Sequence, residues 1–201
     1  LCQVALMQLL AVKLAGHRLT MQEYKDMMVA FETLPERIET ALSFRETAEN
    51  IAARFVDKEH VFFMGRGQDF SLAMEASLKL KEISYIHSES YAAGELKHGT
   101  ISLITENTPV VASLTDSARM QKTISNLKEV KARGAFVTVV TYDDVAADDF
   151  ADCKISIPRQ PDVTATLPAI VTLQLLSYYV ALQKGCDIDQ PRNLAKSVTV
   201  E

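Results

Sequence analysis

Glu75, Lys79 and Glu82, spaced by four and three, and Lys196, close to the last residue, are the side chains of this 201-residue chain whose types and spacing could do chemistry. On a helix, neighbours three and four apart face one another. A carboxylate in such a row acts as a proton shuttle when its pKa approaches the working pH. His98, in Tyr91-Ala-Ala-Gly-Glu-Leu-Lys-His-Gly99, lies between a lysine and a glycine in a loop, and histidine is the side-chain type best suited to proton transfer at physiological pH. Lys196 belongs to a final run without helical periodicity, Cys186 to Glu201, that also holds Arg192. This run reads either as a frayed terminus or as a flap that carries an amine to a substrate.

The ordinary reading of Glu75, Lys79 and Glu82 is a solvated ion-paired stripe. Its flanks argue otherwise. Leu72, Ala76, Leu80 and Ile83 wall one side, and Met74, Leu78 and Tyr85 wall the other. A helix apolar on two sides is packed on two sides. Charges in that seam are expected to be partly desolvated, which raises a carboxyl pKa and lowers a lysine pKa. Glu82 is the better proton shuttle because it lies near the turn into Ile86. His17 and His60 sit at element edges, and His87 near the helix end. Gly65-Arg-Gly67 lies between a strand and a helix, where backbone N–H groups can hold a phosphate. It lacks the G-x-G-x-x-G pattern and neighbouring hydroxyls, so a tight turn is the expected role. No metal-ligand spacing occurs, and no cofactor is expected.

The elements that must position these residues begin with helices: Val4 to Ala15, then Thr20 to about Leu34 from a Thr-x-x-Glu capping box, then Pro35 to about Phe55. Strands follow at Val61–Met64, Pro109–Leu114, Ala135–Thr141 and Lys154–Ile157, with a weaker one near Ile86–Ser90. Helices are expected after Gly67, from about Asp116 to Arg133, and from Thr166 to Lys184. Continuous apolar strands alternating with helices predict a parallel α/β sheet covered on both faces. Ligands in such sheets sit beyond the strands' carboxyl ends.

A composition 48% hydrophobic and 23% charged is that of a globular chain, and a net charge of −5 without a basic cluster disfavours a nucleic-acid partner. Three scattered cysteines fit a reducing compartment, hence the cytoplasm. No apolar run is read as reaching the roughly 18 residues of a membrane span, and no signal-peptide pattern is read at the start. The first residues read as the interior of a helix, as expected of a piece of a longer protein.

Two stretches, Glu75-Ala-Ser-Leu-Lys-Leu-Lys-Glu-Ile-Ser-Tyr-Ile-His-Ser-Glu-Ser-Tyr-Ala-Ala-Gly-Glu-Leu-Lys-His-Gly99 and Asp189-Gln-Pro-Arg-Asn-Leu-Ala-Lys-Ser-Val-Thr-Val-Glu201, closely resemble the glutamine–fructose-6-phosphate aminotransferase family (glucosamine-6-phosphate synthases). The likeness covers the whole chain, and about the last third of such an enzyme: its second sugar-isomerase (SIS) domain. It implies a three-layer α/β/α sandwich, flavodoxin-like, with a five-stranded parallel sheet. It divides the chain into a helical lead-in (1–34), the SIS domain (35–185) and an active-site tail (186–201). By resemblance, Glu82 moves a proton between C1 and C2 of fructose 6-phosphate, and Lys196 forms a Schiff base at C2. His98 assists ring opening and serves the neighbouring subunit, while Lys79 assists proton transfer. Glu75 supports the site, Arg192 pins the tail by a salt bridge, and Ala195 lies near the ammonia path and substrate. The resemblance also implies a homodimer, no cofactor, and a phosphate site in the preceding domain, so this chain alone should bind fructose 6-phosphate weakly. A non-catalytic sugar-phosphate module and an amino-sugar-phosphate deglycase or deaminase remain alternatives. The absence of a basic recognition helix and the intact Arg-Asn-Leu-Ala-Lys-Ser run favour the synthase.

Overall fold

The computed structural model describes residues 1–192. Ala195 and Lys196 fall outside the described residues. Four helices come first: α1 (Cys2–Leu14), α2 (Met21–Glu32), α3 (Leu34–Ser43) and α4 (Arg45–Ala52). The capping box forms as expected, with Glu23 N–H donating to Thr20 Oγ1 at 3.2 Å and Thr20 N–H donating to the Glu23 carboxylate at 2.8 Å. The single helix expected from Pro35 to Phe55 is two helices, broken at Phe44, whose N–H turns back to Ala41. The break lets both short helices seat their buried alanines and Ile51 against the last helix.

From His60 the chain alternates as predicted: β1 (His60–Gly65), α5 (Gln68–Ser84), β2 (His87–Ala92), 3-10 turns at Leu96–His98 and Thr100–Leu103, β3 (Pro109–Leu114), α6 (Met120–Lys131), β4 (Phe136–Tyr142), β5 (Cys153–Ile157) and α7 (Thr166–Gln183). The five strands are all parallel, in the order β2-β1-β3-β4-β5. The weak strand signal near Ile86 becomes the edge strand β2. Its polar sequence, His-Ser-Glu-Ser-Tyr-Ala, suits a strand with one neighbour, whereas every residue of β3 is buried. Right-handed crossovers put α5 on one face and α6 on the other, because the chain leaves β1 and β3 in opposite directions.

α7 lies beside α5 and α4 and covers β4 and β5. Its 18 residues are long and apolar enough to cross a membrane, unlike the sequence expectation, yet most of that stretch is buried in the core. A parallel strand-to-helix unit sends α5 back along the sheet. It starts at the carboxyl edge, beside Gly67, and ends at the amino edge, beside the start of β2. Buried Ser88 locks this geometry: its hydroxyl donates to the Ser77 carbonyl at 2.7 Å, tying β2 to α5.

Gly65 and Gly67 make the tight turn into α5. A Cβ on Gly65 would collide with the Asp69 backbone, and one on Gly67, at φ +58°, with the Asp116 carboxylate. We expect Gly65→Ala to reduce the unfolding free energy by about 1–3 kcal/mol in urea titrations. An unchanged midpoint would contradict this packing.

Candidate active site

Helix α5 brings Lys79 and Glu82 together, Nζ to Oε2 at 2.6 Å. The pair is not desolvated as expected: 33% of the Lys79 side chain and 45% of the Glu82 side chain meet solvent. The reason lies in the flanks. Leu72, Ala76 and Leu80 are buried against the sheet and α7, but Met74, Leu78 and Tyr85 are uncovered. One wall is built within the chain, while the other is open to solvent. Glu75, half-buried, faces a cleft of about 450 Å³ between α1, α5 and α7, opposite Gln8 and Gln174.

Glu82 stands one turn before the helix end, at the amino edge of the sheet. The described part of the tail arrives there too. The Arg192 N–H donates to Tyr85 Oη at 3.0 Å, and its guanidinium lies 4.1 Å from the Tyr85 ring centroid. Among the described residues, Arg192 thus meets Tyr85 through an aromatic stack and a backbone hydrogen bond. Cys186 also approaches the helix end, with Sγ 3.9 Å from the Ser84 carbonyl.

His98 is exposed in the 3-10 turn that follows β2, at the opposite, carboxyl edge. The six residues of β2 separate the two ends by about 20 Å at 3.3 Å per residue. One chain therefore does not bring His98 to its own Glu82.

The crevice that parallel sheets reserve for ligands lies between the carboxyl ends of β1 and β3, where the chain's direction along the sheet reverses. Here it is filled from within. Asp69, buried, accepts from the Thr115 N–H at 2.9 Å, the Thr115 hydroxyl at 2.6 Å and the Asp116 N–H at 3.0 Å. Asp116 occupies the space a Gly67 side chain would need and pairs with Arg119 at 2.7 Å. Arg66 is engaged by the Asn126 side-chain oxygen at 2.9 Å. The Thr115 N–H and hydroxyl and the Asp116 N–H, at the end of β3, thus already hold a carboxylate. Burial pushes the Asp69 carboxyl up to about 6, against the pull of its three donors.

Among the described residues no group of three or more metal-ligating side chains is assembled. The arrangement that remains is a carboxylate–ammonium pair on an open helix face, with the chain's last described residue docked one turn away.

The fold agrees with what the chain is similar to. A SIS domain model matches residues 54–184, so the chain belongs to the SIS domain family. Among its relatives, the glutamine–fructose-6-phosphate aminotransferase (isomerizing) of Vibrio vulnificus strain YJ016 is 48% identical over 92% of this chain and 30% of that protein. The enzyme of the same name from Clostridium tetani is 45% identical over 99% of this chain and 33% of that protein. The chain thus spans about a third of the length of these relatives. The solved C-terminal domain of glucosamine-fructose-6-phosphate aminotransferase from Francisella tularensis superposes with a TM-score of 0.81 and 39% identity, over 86% of this chain and 49% of that one. Glucosamine-6-phosphate deaminase from Thermotoga maritima gives a TM-score of 0.66 and 25% identity, over 95% of this chain and 53% of that one.

Sequence reasoning missed Asp69 and Tyr85. For Asp69 a signal existed: an acid in the first turn of a helix that follows a glycine turn. Tyr85 had none, since its position at a left-handed helix end ordinarily calls for glycine.

Two outcomes follow from this geometry. Glu82→Gln removes only an exposed ion pair, so it should change the unfolding free energy by less than about 1 kcal/mol; a larger loss would make Glu82 structural. Asp69 keeps its proton in the folded chain to about pH 6, whereas an unfolded aspartate loses it near 4. Its stabilising contribution is complete below about pH 4 and is lost as pH rises through 6. Relative to Asp69→Asn, the wild type should therefore lose roughly 2 kcal/mol between pH 4 and 6.5, measured by urea unfolding. A constant difference would contradict the buried carboxyl.

Proposed function

We propose that this chain is the sugar-isomerising portion of a glutamine–fructose-6-phosphate aminotransferase, which turns fructose 6-phosphate and glutamine-derived ammonia into glucosamine 6-phosphate. The observation that carries this reading is the docking of Arg192 on Tyr85, one turn from Glu82. Four more residues reach at most about 14 Å, so the tail's Lys196 is within covalent reach of the Glu82 end of α5. The identity of 48% to the Vibrio vulnificus aminotransferase supports the same assignment.

In this reading, Lys196 Nζ attacks the C2 carbonyl of the open-chain ketose and water leaves, giving the imine. Imine formation makes the C1 hydrogens acidic. Ammonia adds to the C2 imine and the lysine amine leaves, so C2 carries the new nitrogen as an imine. Glu82 then takes a proton from C1, giving the enolamine, and returns one to C2 while the C1 hydroxyl gives up its proton, so C1 becomes the aldehyde and C2 the amine-bearing carbon. Lys79, paired with Glu82, assists the proton transfer. Glu75 supports the row, and Ala195 lines the ammonia path beside the substrate. Arg192 holds the tail.

The engagement of the Thr115 and Asp116 donors by Asp69 supports a phosphate site elsewhere, so in this reading the sugar phosphate is held by the rest of the enzyme. His98, at the far edge from its own Glu82, serves the site of a second copy. The uncovered apolar side chains of α5 and α7, including Leu78, Tyr178 and Leu182, suit burial in such a homodimer. The three free cysteines fit a cytoplasmic setting. Likeness to the Thermotoga maritima deaminase supports a second reading, release of ammonia from the amino sugar, but at 25% rather than 48% identity.

The test uses a chimera in which this chain replaces the matching region of the Vibrio vulnificus enzyme. Lys196→Ala should abolish glucosamine 6-phosphate formation and spare glutamine hydrolysis. Near-normal sugar conversion would refute the Schiff-base role. Glu82→Gln should let the sugar bind and stop exchange of its C1 hydrogen with deuterated water; normal exchange would remove Glu82 as the base. Calorimetry on the 201-residue chain alone should detect no micromolar binding of fructose 6-phosphate, and a micromolar isotherm would contradict the filled crevice.

A further inference from the structure

Tyr85 closes α5 with φ 61° and ψ 13°, in the left-handed region. A side chain there costs about 1–2 kcal/mol relative to glycine, and a bulky residue in that state is an outlier. Strain of this kind persists where surrounding contacts compensate it. Here the compensating contacts come from a segment more than a hundred positions away. Arg192 stacks its guanidinium on the ring at 4.1 Å and donates its N–H to the phenol oxygen at 3.0 Å. At the other end of the same loop, Cys186 meets the Ser84 carbonyl at 3.9 Å. Between these ends, Asp187 Oδ1 accepts from the N–H groups of Asp189 and Gln190, which folds the loop back. Residues 186–192 therefore leave from, and return to, Ser84 and Tyr85 at the end of α5.

We propose that Tyr85 is a positioning residue: it latches the start of the terminal segment onto the end of the helix that bears Glu82. Glycine would cap α5 at lower backbone cost, but it would leave Arg192 with neither ring nor acceptor. The purpose of the latch, holding the tail's amine near the carboxylate, rests on the function proposed above. The contact itself does not.

Limited trypsin digestion of the 201-residue chain tests the latch without requiring turnover. Tyr85→Gly should speed cleavage after Arg192 roughly tenfold, the change produced by losing about 1.4 kcal/mol of stacking and hydrogen bonding, since cleavage follows the population of the open form. Cleavage after Lys184 should stay at the wild-type rate, and the unfolding free energy should be equal or higher because the backbone strain is gone. Tyr85→Phe, which keeps the stack and loses the acceptor, should restore most of the protection. Equal Arg192 cleavage in wild type and Tyr85→Gly would overturn the latch. So would a matching acceleration at Lys184, which would indicate general loosening. Loss of Lys196 function in the chimera bears on the enzymatic reading and leaves this result unaffected.

Discussion

Everything in this molecule that bears on chemistry depends on how α5 is clamped. The sheet holds it from below through β1, β2 and β3, and α7 holds it along its flank. The buried contact between Ser77 and Ser88 fixes its register against β2. A helix gripped on these sides has one open face, and that face carries Lys79 and Glu82. Its final turn carries Tyr85, on which the chain's last described residue comes to rest. Packing of apolar residues around Ala76 and Leu80 thus sets where the charges point.

The same clamp separates two regions that the general rule for parallel sheets would merge. Ligands are expected at the carboxyl edge, but Glu82 and Arg192 are at the amino edge. At the carboxyl edge, Asp69 takes the Thr115 and Asp116 donors. A second anion could use those donors only after three hydrogen bonds were lost, each of them charge-assisted when Asp69 is ionised. The domain therefore presents Lys79 and Glu82 outward on an open helix face. Uncovered Met74 and Leu78 on the same helix, and the apolar exposed residues of α1 such as Leu6, Met7 and Leu14, have the same character.

Much of this was legible in the sequence. β3 and β4 read as strands because β-branched and apolar residues run without interruption, as burial on both faces requires. The stripe on α5 was legible from spacing alone. The break at Phe44 was not, because nothing in Arg45-Glu46-Thr47 stops a helix; it arises from how two short helices fit α7. The exposure of Glu82 was also misread, since an apolar flank signals that a surface will be covered but not that this chain covers it. The stack of Arg192 on Tyr85 joins residues far apart in sequence, and at the helix end local preference argues for a different amino acid. Asp69 shows the converse case, in which a residue ordinary in its local setting becomes unusual only once β3 is brought beside it.

The central claim is that the tail's amine works at the Glu82 end of α5, within a pocket completed by the rest of the enzyme. Borohydride trapping tests it most directly. The chimera is incubated with fructose 6-phosphate, reduced, digested and sequenced by mass spectrometry. A secondary-amine adduct of the sugar phosphate on Lys196, lost when free glucosamine 6-phosphate saturates the site, is the expected result. An adduct confined to other lysines, or none under conditions that support turnover, would contradict the account.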